Sequence, residues 1–133
     1  MIKISVCDDD EGQLTFFKQC FMEYNEKHKE KIEANFYQSV QSLLNEKKFS
    51  PDVYFLDIEL QDGNGLKLAG KIRTRNSKIP IVFITSHEEF MPEAFQVHAY
   101  QYLNEKKNAQ AVENVLNQLA DYFSEQNQIF SFQ

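Results

Sequence analysis

The chain has 133 residues, 42% of them hydrophobic and 26% charged, which is globular composition at single-domain length and excludes a disordered segment. With 14 basic against 20 acidic residues its formal charge is −6, so clustered cations that would hold a phosphate backbone are lacking and direct nucleic-acid binding is not expected. No apolar run reaches membrane-spanning length, the opening "MIKISVCDDD" has no signal pattern, and Cys7 and Cys20 lack metal or disulfide spacing, so a soluble cytoplasmic protein is expected, with no membrane partner.

"IKISVC" (2–7) reads as a short buried strand, and the helical pattern after it sets Leu14, Phe17, Phe21 and Tyr24 on one face. "KIEANFY" (31–37) alternates as a strand. "SVQSLLNEK" (39–47) reads as a short helix capped by Ser39, with Val40, Leu43 and Leu44 turned inward. "DVYFLDI" (52–58) is continuously apolar, as in a strand covered on both faces. "NGLKLAGKIRTRN" is a helix with Leu66, Ala69 and Ile72 as its buried stripe, and "PIVFITS" (80–86) a further strand with Pro80 at its start. The next helix, around 88–97, contains Pro92 and so either starts late, near Met91, or is kinked. "AYQYLN" (99–104) makes a fifth strand, and "NAQAVENVLNQLADYFSEQ" (108–126) a closing amphipathic helix carrying Val112, Val115, Leu116, Leu119 and Phe123. The final "IFSFQ" alternates like the beginning of another strand.

Five βα units in succession predict an α/β fold with a doubly wound parallel sheet. Right-handed crossovers bring the C-terminal ends of the strands to one edge, where such sheets bind their ligands. The residues at those ends are therefore the candidates. The first strand ends in Asp8, Asp9 and Asp10, the third in Asp57 with Glu59 two residues on, the fourth in Thr85 and Ser86. With the first and third strands adjacent, Asp8, Asp9 and Asp57 converge, and carboxylates that close resist ionising together unless a cation lies among them. An all-oxygen donor set points to a hard ion, Mg2+. Asp57 is then placed to attack phosphorus and form an aspartyl phosphate, with the Thr85 hydroxyl contacting the phosphoryl oxygens only in that state. Each of these residues taken singly has an ordinary structural role, Asp10 as a helix N-cap in particular; their combination carries the signal.

The stretches "ISVCDDDE", "YFLDIELQDGNGLKLAGKIR", "IVFITSHEEF" and "EAFQVHAYQYL", over about residues 1 to 123, resemble the receiver domains of two-component response regulators, most closely the LytTR (AgrA-type) group. The resemblance implies a flavodoxin-like (βα)5 sheet of order 2-1-3-4-5. It implies Asp57 as phosphoacceptor, and Asp8, Asp9, Asp57 and the backbone carbonyl of Glu59 as Mg2+ ligands. Thr85 and Tyr102 match the switch pair, Ser86 the small residue that contacts the phosphoryl group, and Gly65, after the N-cap Asn64, the glycine that opens the third helix. Its implied partners are a sensor histidine kinase, an attached C-terminal DNA-binding domain, and a second copy bound through helix 4, strand 5 and helix 5. On this reading residues 1–124 are the receiver, and 125–133 are a linker and the start of a LytTR domain.

One position departs from that pattern. Receivers end the fifth strand in Lys-Pro, whereas Glu105 occupies the Lys position here and Lys106 the Pro position. Either the chain bulges so that Lys106 reaches the phosphoryl group, or the phosphorylated state is weakly held, or the chain is a phosphorylation-independent pseudo-receiver acting through protein contacts. Two other uses of a strand-end acid fit less well. A haloacid-dehalogenase-type phosphatase wants a second Asp where Glu59 stands, and a flavin carrier would not place Asp8 to Asp10 where the flavin phosphate binds.

Overall fold

Apolar, mainly β-branched and aromatic, runs form five strands: β1 (Ile2–Cys7), β2 (Ile32–Tyr37), β3 (Val53–Asp57), β4 (Ile81–Ile84) and β5 (Gln101–Leu103). All pair in parallel, in the order β2-β1-β3-β4-β5, so the expected flavodoxin-like 2-1-3-4-5 sheet is the observed one. The structure, a computed structural model, describes residues 1–104 and 107–131, with side chains described to residue 127. Glu105 and Lys106, on which the reading of the fifth strand end turned, lie outside the described residues.

Strand alternation divides the core between two layers of helices. One face presents Ile4, Val6, Phe55, Val82 and Ile84 to α1 (Glu11–Lys27) and α5 (Ala109–Ser131). There Phe17 and Phe21 meet Phe55 edge-on, with ring centroids 5.7 and 5.8 Å apart. The other face presents Cys7, Leu56, Ile58, Ile81 and Phe83 to α2 (Val40–Leu44), α3 (Gly65–Arg75) and α4 (Met91–Gln96). Among the described residues no helix is long and apolar enough to cross a membrane.

Several details differ from the sequence reading. In α3 the buried stripe is Gly65, Leu68, Ala69 and Ile72, and Leu66 is only half-buried: the helix is rotated relative to the expected phase. In α2 only Leu43 is buried, and Val40 and Leu44 are partly covered. The helix ends at Leu44, three residues short of expectation, and β5 loses a residue or two at each end. The late start is the outcome for α4: a single 3-10 turn, Glu88–Phe90, precedes it, and Pro92 sits in its first turn, where no N–H is needed. Residues 129–131 of the "IFSFQ" segment are helical where a strand was expected to begin, because α5 continues through Ser131. Extending an established helix adds one hydrogen bond per residue fixed, which a short alternating run does not outweigh.

Arg73, which no motif marks, ties the lower edge of this layer. Its guanidinium donates to the carbonyls of Val97 (2.8 Å), His98 (2.9 Å), Asn76 (3.4 Å) and Ile79, joining α3 to the end of α4. His98 has φ 57°, the left-handed conformation that commonly ends a helix. Arg73→Met keeps the aliphatic stem but leaves these carbonyls without their donor, and is expected to cost about 2 kcal/mol, read as a lower urea midpoint at unchanged slope.

Candidate functional site

Strand register assembles the acids. Cys7 of β1 is level with Leu56 of β3, so the next residues, Asp8 and Asp57, leave adjacent strands side by side on the same face. Asp57 is in turn level with Ile84 of β4, which puts Thr85 one step beyond it. Asp8, Asp57 and Thr85 are each at least 95% buried. Asp9 is half-buried beside them, and one carboxylate oxygen from each of Asp8, Asp9 and Asp57 lies within 4.8 Å of the others. The sequence-derived triad of acids is thus brought together at the C-terminal edge of the sheet.

Main-chain amides fix the orientation of each carboxylate. Asp8 Oδ1 accepts from the N–H of Asp10 at 2.9 Å, and Asp57 Oδ1 from that of Glu59 at 3.3 Å. Asp9 Oδ2 accepts from the N–H of Gln61 at 3.1 Å, tying β1 to the loop after β3. Asp10 has the capping role: its Oδ1 accepts from Gly12 N at 2.9 Å at the start of α1. The donor set is hard oxygen only, and its span is close to the diameter of an Mg2+ oxygen shell, about 4 Å, so the residues present fit that ion.

The loop after Asp57 is more ordered than its sequence suggests. Glu59–Leu60 pairs antiparallel with Gly63–Asn64 in a two-residue ribbon. At its tip the Asp62 carboxylate accepts from the backbone N–H groups of Val40 and Gln41, at 2.9 and 3.0 Å, which holds its pKa below the usual carboxylate range. Asn64 Oδ1 caps α3 through Leu66 N at 2.7 Å, as expected. Gly65 lies so close to the strand end that a Cβ there would stand 2.0 Å from the Asp57 carbonyl oxygen. Cys7 is no nucleophile: burial first, then Asp62, Asp8, Asp57 and Asp9, push its thiol up to about 12.

The β4 side holds the other expected residues. Thr85 Oγ1 accepts from His87 N at 3.2 Å, and the Tyr102 hydroxyl donates to the carbonyl of His87. Both members of the expected pair therefore grip the same residue. The His87 ring stands between two carboxylates, with Nε2 3.6 Å from Glu59 and Nδ1 3.2 Å from Glu89. It spans the loops after β3 and β4, a bridge that no motif in the sequence marks. Ser86 is exposed, next to Thr85. Lys107 brings a cation to the opposite rim: its Nζ is 3.5 Å from where a Gly12 Cβ would stand.

The arrangement is a buried carboxylate with two acidic neighbours and a hydroxyl at one sheet edge, able to hold a divalent cation and to offer one oxygen to an electrophile. The sequence model of the response regulator receiver domain family matches residues 4–117. An uncharacterised response regulatory protein of Yersinia pestis is 29% identical over 120 residues, 90% of this chain and 49% of its own length. The sensory transduction protein LytR of Staphylococcus haemolyticus is 32% identical over 95 residues, 71% of this chain and 36% of its own length. The chain thus spans about half, or less, of these relatives. Among solved structures, the response regulator TrrA of Thermotoga maritima in complex with Mg2+-BeF superposes with a TM-score of 0.74 at 22% identity, over 90% of this chain and 99% of that one, a likeness of fold.

Proposed function

Because the chain belongs to the response regulator receiver family, as a receiver domain of a two-component system, we propose that Asp57 is its phosphoacceptor and that the domain is a Mg2+-dependent phosphorylation switch for an attached output. The observation that carries this reading is the approach of Asp8, Asp9 and Asp57 within 4.8 Å at the end of β1 and β3. Asp8, Asp9, Asp57 and the Glu59 carbonyl would hold the ion, which when bound offsets the acids and draws charge from the phosphoryl oxygens. An Asp57 oxygen forms the new P–O bond as the P–N bond of a kinase phosphohistidine breaks, and the imidazole departs with the electron pair. Thr85 and Ser86 then offer hydroxyls to the phosphoryl oxygens. To do so Thr85 shifts its grip on His87, and Tyr102, bound to the same residue, follows. Lys106 completes the phosphoryl contacts in place of the usual strand-end lysine.

We further place the chain in the LytTR group, in the cytoplasm, with residues 1–124 as the receiver and 125–133 leading to a DNA-binding domain. The LytR match supports the group, and the greater length of the relatives supports the added domain. The continuation of α5 through Ser131 suits a helical lead into it. Glu105 favours one rival, a pseudo-receiver that signals without phosphorylation.

Intact-protein mass spectrometry after incubation with acetyl phosphate separates the two. A gain of one phosphoryl group with Mg2+, absent in EDTA, is expected; no gain from acetyl phosphate or a cognate kinase would leave the pseudo-receiver. Mg2+ alone, at ten times its dissociation constant, should raise the unfolding free energy by about 1.4 kcal/mol. Asp9→Asn should lose most of that increment in a thermal melt.

A further inference from the structure

We infer that Asp62 is a positioning residue for the cation site: by gripping the start of α2, it holds the ribbon after β3 where Glu59 and Gln61 can serve that site. The inference rests on the Mg2+ reading of Asp8, Asp9 and Asp57. Asp62 itself is exposed at the ribbon tip and is not one of the three clustered acids.

The first turn of a helix leaves its N–H groups without acceptors inside the helix. In α2 the Ser39 hydroxyl accepts from Ser42 N–H at 3.0 Å. The Asp62 carboxylate takes the other two, Val40 N–H through Oδ1 at 2.9 Å and Gln41 N–H through Oδ2 at 3.0 Å. One carboxylate from a distant loop thus completes the cap of a helix only five residues long, which has little stability of its own. Packing agrees with the bonds: a Cβ on Gly63 would stand 3.1 Å from Val40 Cγ2, so the ribbon lies directly against α2.

These contacts close a ring around the acids. Asp8 N–H donates to Tyr37 O at 3.0 Å and the Cys7 thiol to Ser39 O at 3.4 Å, which ties the end of β1 to the turn entering α2. Asp62 ties the start of α2 to the ribbon. Gln61 N–H donates to Asp9 Oδ2 at 3.1 Å and so returns to the end of β1. Glu59, whose carbonyl is the fourth proposed ligand, belongs to the same ribbon and pairs with Asn64. Asp9 in this ring is itself a proposed ligand, whereas Asp62 can be cut without touching the ligand set. Cutting it frees the ribbon tip, and with it the Glu59 carbonyl and the Gln61 N–H that orients Asp9. Partners behind the ligands commonly set metal affinity by about tenfold or more. Linkage makes the effect reciprocal: a cation held better when the Asp62 bonds are closed also keeps them closed.

The test uses Mg2+ alone, titrated into the whole chain and followed by NMR at the amides of Asp10, Glu59 and Gln61. Hydrogen exchange at the Val40 and Gln41 amides is measured alongside. Asp62→Ala should weaken Mg2+ binding about tenfold. Asp62→Asn loses the same charge but keeps one acceptor oxygen for α2, so its affinity should fall between Asp62→Ala and wild type. In wild type, saturating Mg2+ should slow exchange at Val40 and Gln41 by about the same factor, tenfold, and Asp62→Ala should abolish that response. Equal losses in the Asn and Ala variants would overturn the inference, because the carboxylate would then act through its charge alone. Mg2+ binding indifferent to Asp62, or wild-type exchange indifferent to Mg2+, would reduce Asp62 to a helix cap and overturn the inference alone. A wild type whose amides ignore Mg2+ altogether would bring down the cation reading, and this inference with it.

Discussion

Asp57→Asn should gain no phosphoryl group from any donor, at any Mg2+ concentration, while keeping its fold. The amide has the shape of the carboxylate and can still accept from Glu59 N, now 3.3 Å from Asp57 Oδ1. What it lacks is an oxygen carrying negative charge, the nucleophile itself, and that loss should lower the rate by several orders of magnitude. Asp9→Asn is the instructive contrast. It weakens the cation site but leaves the nucleophile, so raising Mg2+ should restore uptake there and not in Asp57→Asn. Intact-mass measurements of both variants over a Mg2+ series make the comparison. A phosphoryl group appearing on Asp57→Asn would move the acceptor elsewhere, with Asp9, the more exposed acid, first in line.

Gly65→Ala should be among the most damaging single-methyl changes in the chain, with a loss of about 3–5 kcal/mol in chemical denaturation. The added Cβ would lie 2.0 Å from the Asp57 carbonyl oxygen, 2.9 Å from its carbonyl carbon and 3.0 Å from Ile58 Cα. All three are backbone atoms of the strand end, with no side chain to swing aside. Relief requires α3 to back away, which breaks the Gly65 N–H bond to Ile58 O at 2.8 Å and shifts Asp57 relative to Asp8. Uptake should therefore fall together with stability. Gly70, where an added Cβ would meet nothing within 4 Å beyond its own helix backbone, is the control: Gly70→Ala should be neutral or mildly stabilising in the same helix. Wild-type stability in Gly65→Ala would show that α3 is free to slide.

These two positions also show what was legible beforehand. Asp57 could be found because an apolar strand stops on it, and the register of parallel strands carries that stop next to Asp8. Gly65 could be found only through a family pattern, since a close backbone approach leaves no mark in composition. Arg73, Asp62 and the Gln61 bond to Asp9 were invisible for a related reason: their partners are main-chain groups, which every sequence possesses. The phase of α3 was misjudged because Leu66-Ala69-Ile72 and Gly65-Leu68-Ala69-Ile72 both obey helical spacing, and only the packing against Ile58 and Ile81 chooses between them. The strand expected to begin at residue 129 is helix through Ser131, because short two-residue alternation says nothing about the helix that runs into it.

The Arg73 bonds have a kinematic meaning. They grip α4 at Val97 and His98, its trailing end, while Thr85 and Tyr102 hold the chain at His87, just ahead of its leading end. A rod clamped at one end cannot translate; it pivots. At six residues, roughly 9 Å, a displacement of about 2 Å at the leading end is a swing of about 13°. Under the switch proposed for Thr85, its movement would become an angle of the helix that carries Phe95.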